Sequence, residues 1–208
     1  MYSVKTPALL KPLASQLLWS VPGADKELYI TFDDGPCPGV TEAILDILDS
    51  YGAKASFFCI GGNVQKHPDL YRETLKRGHS VGNHTWNHMN GWEYSTYSYL
   101  RNVLECSALV SSSLFRPPYG RISRAQAKAL SSRYTIVMWD VLSADWRSDV
   151  SPEKCLQNVL KHAERGSIIV FHDSVKAKGN MLYALPRALE HWKAQGYEMR
   201  ALPDNKKV

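Results

Sequence analysis

The sequence predicts a single-domain α/β fold built from parallel strands. Short apolar runs typical of buried strands alternate with amphipathic stretches typical of helices, and no low-complexity linker interrupts them. The length of 208 residues is within the range for one domain, and the 44% hydrophobic and 22% charged shares are ordinary for a globular protein. Periodicity alone leaves open whether the strands form a barrel or an open sheet.

The individual elements follow from composition, spacing and stop signals. Strands are expected over residues 28–32, 54–60, 79–83, 114–116, 134–141, 167–171 and 197–202. Helices are expected over residues 40–51, 68–77, 97–112, 123–133 and 151–165, with a last helix ending at residue 195. Gly52 and Gly78 end the first two helices, and Ser151-Pro152 is a cap followed by proline at the first helical position.

Two adjacent carboxylates, Asp33 and Asp34, end the first of these strands and precede the turn signal Gly35-Pro36. Neighbouring residues on a strand point to opposite faces, so both can serve one site only if the backbone leaves the strand there, which Gly-Pro permits. The pair suggests a metal ligand beside a general base. A solvated acidic turn is the alternative.

A second candidate group is the His84/His88 pair, which follows the predicted strand 79–83. At spacing i and i+4 the two imidazoles are expected on one face of a helical turn, where both can reach one cation. Together with Asp34 they would supply two nitrogens and one oxygen, a set that suits catalytic zinc and leaves a position for water. A histidine pair on a wet helix face is the alternative.

Five short segments follow one another along the chain: Thr31-Phe32-Asp33-Asp34-Gly35, His84-Thr85-Trp86-Asn87-His88, Arg116-Pro117-Pro118-Tyr119, Asp140 through Asp145-Trp146, and Ile168-Ile169-Val170-Phe171-His172. In this order they resemble the motifs of the polysaccharide deacetylases, carbohydrate esterase family 4 (the NodB-homology domain). The resemblance covers about residues 29–202. It implies a distorted, incomplete (β/α) barrel, with a catalytic domain over 28–203, an N-terminal extension over 1–27 and a basic tail over 204–208.

The resemblance also implies a role for each matched residue. A divalent cation, zinc with cobalt or nickel as alternatives, is expected on Asp34, His84 and His88. Asp33 would be the general base, Arg116 would orient it, and the backbone N–H of Tyr119 would help to bind the oxyanion.

His172 would be the general acid and Asp145 the carboxylate that orients it and favours its charged form. Trp146 and Val170 would wall a pocket for the acetyl methyl group. Asp173 is interpreted as a simple helix cap. Asp140 is given no catalytic role, and a solvated strand-end carboxylate is the alternative for it. Sugar-stacking surfaces are expected, with core packing as the alternative, from Trp86, Trp92, Tyr94 and Trp139.

These residues together predict a metal-dependent hydrolase that removes acetyl groups from a carbohydrate. The expected substrate is the N-acetyl amide of an amino-sugar polymer or oligomer, such as peptidoglycan or chitin. One alternative is an O-acetyl esterase acting on a plant glycan such as acetyl-xylan. Another is a non-catalytic glycan- or metal-binding module, which would have no need of Asp33, Arg116, Asp145 and His172 together.

The net charge and the N-terminal sequence bear on the expected binding partners and location of the protein. The net charge of +5 and the pI near 9.0 would suit an anionic polymer, but plain surface solvation is the favoured interpretation of this mild surplus. No long basic run or arginine-rich helix indicates nucleic acid. Lys11-Pro12 interrupts the apolar residues near the N-terminus, so neither a signal peptide nor a membrane span is predicted. The spacing of Leu10, Leu13 and Leu17 predicts a short amphipathic helix that packs on the domain, with membrane-surface binding as the alternative. A cytoplasmic location is expected, with cell-envelope association as the alternative, and the oligomeric state stays open.

The four cysteines show no metal-binding or disulfide spacing. Cys59 and Cys106 lie in apolar or helical stretches and are expected to be buried, which fits a reducing compartment. Cys37 follows Asp34 by three residues, so it is expected near the site as a bystander thiol, with an additional metal ligand as the alternative.

Overall fold

The structure, a computed structural model, describes residues 3–7, 9 and 16–204. Its strands are β1 (Leu17–Leu18), β2 (Glu27–Asp33), β3 (Ser56–Cys59), β4 (Ser80–Asn83), β5 (Leu114–Phe115), β6 (Thr135–Val137), β7 (Val141–Leu142), β8 (Ile168–His172) and β9 (Glu198–Met199). Its helices are α1 (Thr41–Ser50), α2 (Gly61–Lys66), α3 (Pro68–Lys76), α4 (Thr96–Ser107), α5 (Arg124–Leu130), α6 (Pro152–His162) and α7 (Lys178–Ala194). Within these residues, no helix combines the length and apolar character that a membrane span requires.

The strands form one parallel sheet in the order β1-β6-β5-β4-β3-β2-β8-β7, with β9 beside the start of β2. β6 lies near one end of this order and β7 at the other, yet only residues 138–140 separate them along the chain. Four Cα–Cα steps reach at most about 15 Å. The sheet must therefore curl back on itself, which confirms the predicted distorted, incomplete barrel.

Alternation along β2 separates the core from the barrel interior. Leu28, Ile30 and Phe32 are fully buried in the main hydrophobic core, where Phe32 stacks between Phe57 and Phe171 at ring-centroid distances of 5.0 and 6.1 Å. The intervening residues point to the other face, so Asp33 lies on the interior side at the carboxyl end of the sheet. Active sites of (β/α) barrels are found at this end.

Several element predictions were wrong in extent. The strand predicted over 134–141 is two strands, because Met138 N donates to Leu18 O while Asp140 N donates to Ile168 O on a different part of the sheet. The helix predicted over 97–112 ends at Ser107, and the last strand shrinks to β9. Helix α2 was not predicted, since its sequence Gly-Gly-Asn-Val-Gln-Lys has little helix propensity.

Two further expectations concern the N-terminal segment and Asp140, a residue that this segment contacts. The amphipathic helix falls mostly on residues 10–15, outside the described residues, but Leu17 lies in β1, paired with Ile136. The solvated alternative for Asp140 is wrong: the side chain is 1% exposed and accepts hydrogen bonds from Lys5 Nζ and Ser167 Oγ, each at 2.6 Å. It joins the N-terminal segment to the sheet.

Candidate active site

The turn after β2 carries Asp34 on a backbone in the left-handed region, with φ of +89°. Two side chains from other parts of the chain hold this turn by hydrogen bonds to its backbone. Asn63 Nδ2 donates to Asp34 O at 2.7 Å, and Asp173 Oδ1 accepts from Gly35 N at 2.8 Å. A Cβ on Gly35 would lie 1.8 Å from Asp173 Oδ2, so only glycine fits here. The backbone leaves the strand at Asp34, as the sequence predicted.

The two histidines lie on a turn and not on the predicted helical turn. Thr85 and His88 have φ of +65° and +60°, values that an α-helix excludes. His84 Nδ1 lies 2.8 Å from Arg116 O, and a carbonyl can only accept, so Nδ1 carries the proton and Nε2 is free to coordinate. Tertiary contacts, rather than helix periodicity, bring the two rings together, with centroids 5.1 Å apart.

Asp34, His84 and His88 form a possible metal site. One donor atom from each lies within 4.8 Å of the others, and His88 Nε2 is 3.3 Å from Asp34 Oδ1. That oxygen is buried and has no hydrogen-bond partner among the described residues, as expected of an atom placed to bind a cation. Burial lowers the pKa of His88 and lowers that of His84 to about 4, so both imidazoles are neutral at pH 7. The donor set fits a divalent ion.

Asp33 lies beside this cluster and pairs with Arg116, which is fully buried. Arg116 Nη1 donates to Asp33 Oδ1 at 2.6 Å and to Thr31 Oγ1 at 2.7 Å, and Nη2 donates to Met138 O at 3.0 Å. The guanidinium also packs 4.1 Å from the Phe58 ring centroid. Burial alone would raise the pKa of Asp33, but the charge and hydrogen bond of Arg116 hold it below its ordinary value. Asp33 is therefore ionised at neutral pH.

His172 ends β8, in register with Asp33 on the adjacent strand. Asp145 fixes it through both oxygens: Oδ2 accepts from His172 N at 2.7 Å and Oδ1 pairs with Nδ1 at 2.8 Å. Burial lowers the pKa of His172, but the Asp145 carboxylate outweighs it and raises the pKa to about 9. The imidazole is protonated at neutral pH and leaves Nε2–H for another partner.

The remaining predicted site residues adjoin these groups. Tyr119 has φ of +59° in the 3-10 turn Pro118–Gly120, and its ring packs edge-on against His88 at 4.5 Å. The Trp146 and His172 ring centroids are 4.7 Å apart. Val170 is 1% exposed and lies two residues before His172, on the same face of β8. Their roles toward an oxyanion and an acetyl methyl group stay predictions.

The four aromatic candidates differ in exposure. Trp92 and Tyr94 are 67% and 50% exposed, and the Arg121 guanidinium covers one side of the Trp92 ring at 5.2 Å. Trp86 and Trp139 are partly buried, each against a glycine whose Cβ would collide with the indole. Sugar stacking stays a prediction for all four.

The cysteines follow expectation in burial. Cys59 and Cys106 are buried free thiols, and Cys37 is partly exposed. Among the described residues, Cys37 does not belong to the cluster of potential ligands around Asp34. Its backbone N–H donates to Thr41 Oγ1 at 2.8 Å, and Thr41 donates in turn to Asp173, the residue after His172.

Sequence reasoning missed Asn63 and the importance of Asp173. Asp173 is 1% exposed and accepts from Thr41 Oγ1 at 2.8 Å as well as from Gly35 N, and burial raises its pKa to about 8. The helix-cap interpretation is wrong, since α7 begins only at Lys178. Because Asp173 directly follows His172, its position in the sequence could have indicated that it lies at the site. Asn63 gave none, because its contact with Asp34 spans 29 residues of sequence.

Comparisons with known proteins identify the family of this chain. Residues 20–135 match the family model described as polysaccharide deacetylase. A peptidoglycan-N-acetylglucosamine deacetylase of Bacillus cereus is 37% identical over 187 residues, covering 86% of this chain and 87% of that protein. The peptidoglycan-N-acetylmuramic acid deacetylase PdaC of Bacillus subtilis is 32% identical over 183 residues, which are 84% of this chain but 37% of PdaC.

Among solved structures, the Bc1960 peptidoglycan N-acetylglucosamine deacetylase in complex with 4-naphthalen-1-yl-N-oxidanyl-benzamide superposes with a TM-score of 0.88. It is 29% identical, and the match covers 95% of each chain. By the family model, the sequence relatives and the shared fold, this chain belongs to the polysaccharide deacetylase family.

Proposed function

We propose that this protein is a metal-dependent hydrolase that removes the N-acetyl group from an amino sugar of a peptidoglycan-like polymer. One observation carries the proposal: Asp33, with a lowered pKa, and His172, with a pKa raised to about 9, end two paired strands beside the Asp34 cluster. An ionised base and a protonated acid at one site are what amide hydrolysis requires.

The chemistry follows from these positions. Zinc is the proposed cofactor; held by Asp34, His84 and His88, it would polarise the acetyl carbonyl and make water more acidic. Asp33 accepts a proton from the attacking water, while Arg116 keeps that carboxylate ionised and oriented. His172 donates a proton from Nε2 to the departing sugar nitrogen. Asp145 holds His172 in the required tautomer and charge state.

The choice of substrate draws on the relatives. Their names describe deacetylation of N-acetylglucosamine or N-acetylmuramic acid in peptidoglycan. The net charge of +5 suits an anionic cell-wall polymer. An intact acid, base and ligand set speaks against a non-catalytic binding module.

The substrate is tested by mass spectrometry of acetate release from peptidoglycan fragments, chitin oligomers and acetyl-xylan oligomers. We expect N-deacetylation of the amino-sugar substrates to be the dominant activity. A much higher kcat/KM on acetyl-xylan would replace the proposal by O-acetyl esterase activity. No acetate from any substrate in zinc-loaded protein would overturn it.

The metal is tested by elemental analysis after purification and after reconstitution with zinc, cobalt or nickel. We expect about one ion per chain, as a three-ligand catalytic site would hold. The His84→Ala/His88→Ala double variant should lose the ion, and full occupancy in it would refute the ligand assignment. Cys37→Ser is the matched control and should keep the wild-type metal content.

A further inference from the structure

A groove of about 410 Å³ opens beside the candidate metal cluster and is not used by the chemistry proposed above. Its lining comes from α2 with its flanking residue and from the histidine turn: Ile60, Gly62, Asn63, Gln65, Lys66, Trp86, Asn87 and His88. His88 belongs to both the groove and the cluster. An occupant of the groove would therefore lie next to the sugar whose acetyl group reacts.

The groove is held rigidly against the site. Gly61 N donates to Thr85 O at 3.0 Å and Gly62 N donates to Trp86 O at 2.9 Å, so α2 is bonded to the histidine turn. Asn63 bonds α2 to Asp34 in addition. Hydrogen bonds therefore tie the beginning of α2 to two segments that bear candidate metal ligands. They also help to place Lys66, which is the last residue of this helix.

The chemistry of the lining indicates a charged sugar. Asn63, Gln65 and Asn87 offer amide donors and acceptors suited to hydroxyl groups, and the Trp86 indole offers an apolar face. Lys66 supplies a full positive charge, and the described lining contains no carboxylate to neutralise it. A neutral glycan has no group that would match this charge, whereas a carboxylate does.

We propose that this groove binds the sugar next to the one being deacetylated, and that Lys66 recognises a carboxylate on that neighbour. The inference rests on the proposed deacetylase function and narrows its substrate class to anionic amino-sugar polymers. In peptidoglycan the carboxylate has two sources, the ether-linked lactyl group and the peptide attached to it. Both present the same chemistry to Lys66.

The test measures binding separately from turnover. Dissociation constants are determined by calorimetry for zinc-loaded Asp33→Asn protein, alone and combined with Lys66→Gln, Lys66→Arg or Lys128→Gln. The ligands are a neutral N-acetylglucosamine oligomer, a peptidoglycan oligosaccharide stripped of peptide, and the same oligosaccharide with its peptide. Lys128 is the matched control, an exposed lysine on α5 that does not line the groove.

We expect Lys66→Gln to raise the ratio of anionic to neutral dissociation constants about two- to fivefold, the range for an ion pair open to water. Lys66→Arg should restore most of the ratio, and added salt should reduce the wild-type preference. If Lys66→Gln weakens binding of the oligosaccharide stripped of peptide, Lys66 recognises the lactyl carboxylate. If it weakens binding only of the peptide-bearing oligosaccharide, Lys66 recognises a carboxylate of the peptide.

An unchanged ratio in Lys66→Gln, or an equal change in Lys128→Gln, would overturn the assignment of the groove. Acetate release by wild-type protein is scored independently with the same three ligands. Its absence would sink the proposed function, while the binding ratios would still decide what the groove recognises.

Discussion

Asp33 and Asp145 are both buried carboxylates paired with a basic side chain, but their oxygens make different hydrogen bonds. Within the described residues, the Asp33 carboxylate receives a hydrogen bond on one oxygen, from Arg116. Asp145 uses both oxygens on a single residue, the backbone N–H and the ring of His172. Both Asp145 oxygens are therefore bonded to His172, whereas one Asp33 oxygen has no hydrogen-bond partner among the described residues.

The partners differ as well. Arg116 cannot lose its proton in the working pH range, so it serves only to keep Asp33 ionised and in place. His172 can lose its proton, and Asp145 determines the pH at which it does. In the proposed mechanism, the same ion-pair chemistry prepares Asp33 on β2 as a base and His172 on β8 as an acid.

The largest effect is expected from Asp33→Asn, which removes the base while keeping its shape. Turnover should fall by about 10²–10⁴, the usual worth of a positioned acid or base. Metal content by elemental analysis should stay at the wild-type level. Asp34→Asn is the control and should lose metal affinity, with partial rescue by excess zinc. If Asp33→Asn strips the metal and Asp34→Asn does not, the two roles are reversed.

His172→Ala tests the proposed general acid, which belongs to the Asp145 pair. We expect kcat on an N-acetyl sugar to fall by about 10²–10³, because the amine leaving group needs a proton. An activated aryl acetate, whose leaving group departs without a proton, should be hydrolysed at a rate close to that of wild type. Equal losses on both substrates would mean that His172 acts by some route other than proton donation.

Asp145→Asn should shift the pH profile more than the maximum rate. With the His172 pKa at about 9, kcat/KM should fall as pH rises through about 9, since the acid is then deprotonated. A neutral amide no longer favours the imidazolium, so this basic limb should move toward the ordinary histidine value of about 6.5. The measurement is kcat/KM from pH 5 to 10 in both proteins. A basic limb at the same pH in both would remove Asp145 from this role.

The smallest effect is expected from Asp173→Ala. Asp173 directly follows His172 and accepts a hydrogen bond from Gly35, in the turn after Asp33 and Asp34. The substitution leaves Gly35 N–H buried without its partner, and this should lower the free energy of unfolding by about 1–3 kcal/mol. Thermal and denaturant unfolding measure the loss, with Asp173→Asn expected to lose less because its amide oxygen can still accept. If Asp173→Ala is as stable as wild type, Asp173 does not hold the turn.

The amino-acid sequence was sufficient to predict the fold class, the family and the residues that come together at the candidate site. These depend on local signals: apolar runs with turn residues after them, and short motifs whose residue types are set by their chemistry. The boundaries of β2, α1, α3 and β4 also follow from local propensity and differ from prediction by a residue or two. Such features can be read from neighbours along the chain.

The way these residues are held depends on contacts between segments distant in sequence. The bond between Asp33 and Arg116 spans 83 residues of sequence, and that between Gly35 and Asp173 spans 138. The histidine turn, the break between β6 and β7, and helix α2 all run against local propensity or periodicity. Each is fixed by hydrogen bonds to segments distant in sequence, and these outweigh local preferences worth about 1 kcal/mol per residue or less. Contacts of this kind depend on the curl of the whole sheet, which no local stretch of sequence encodes.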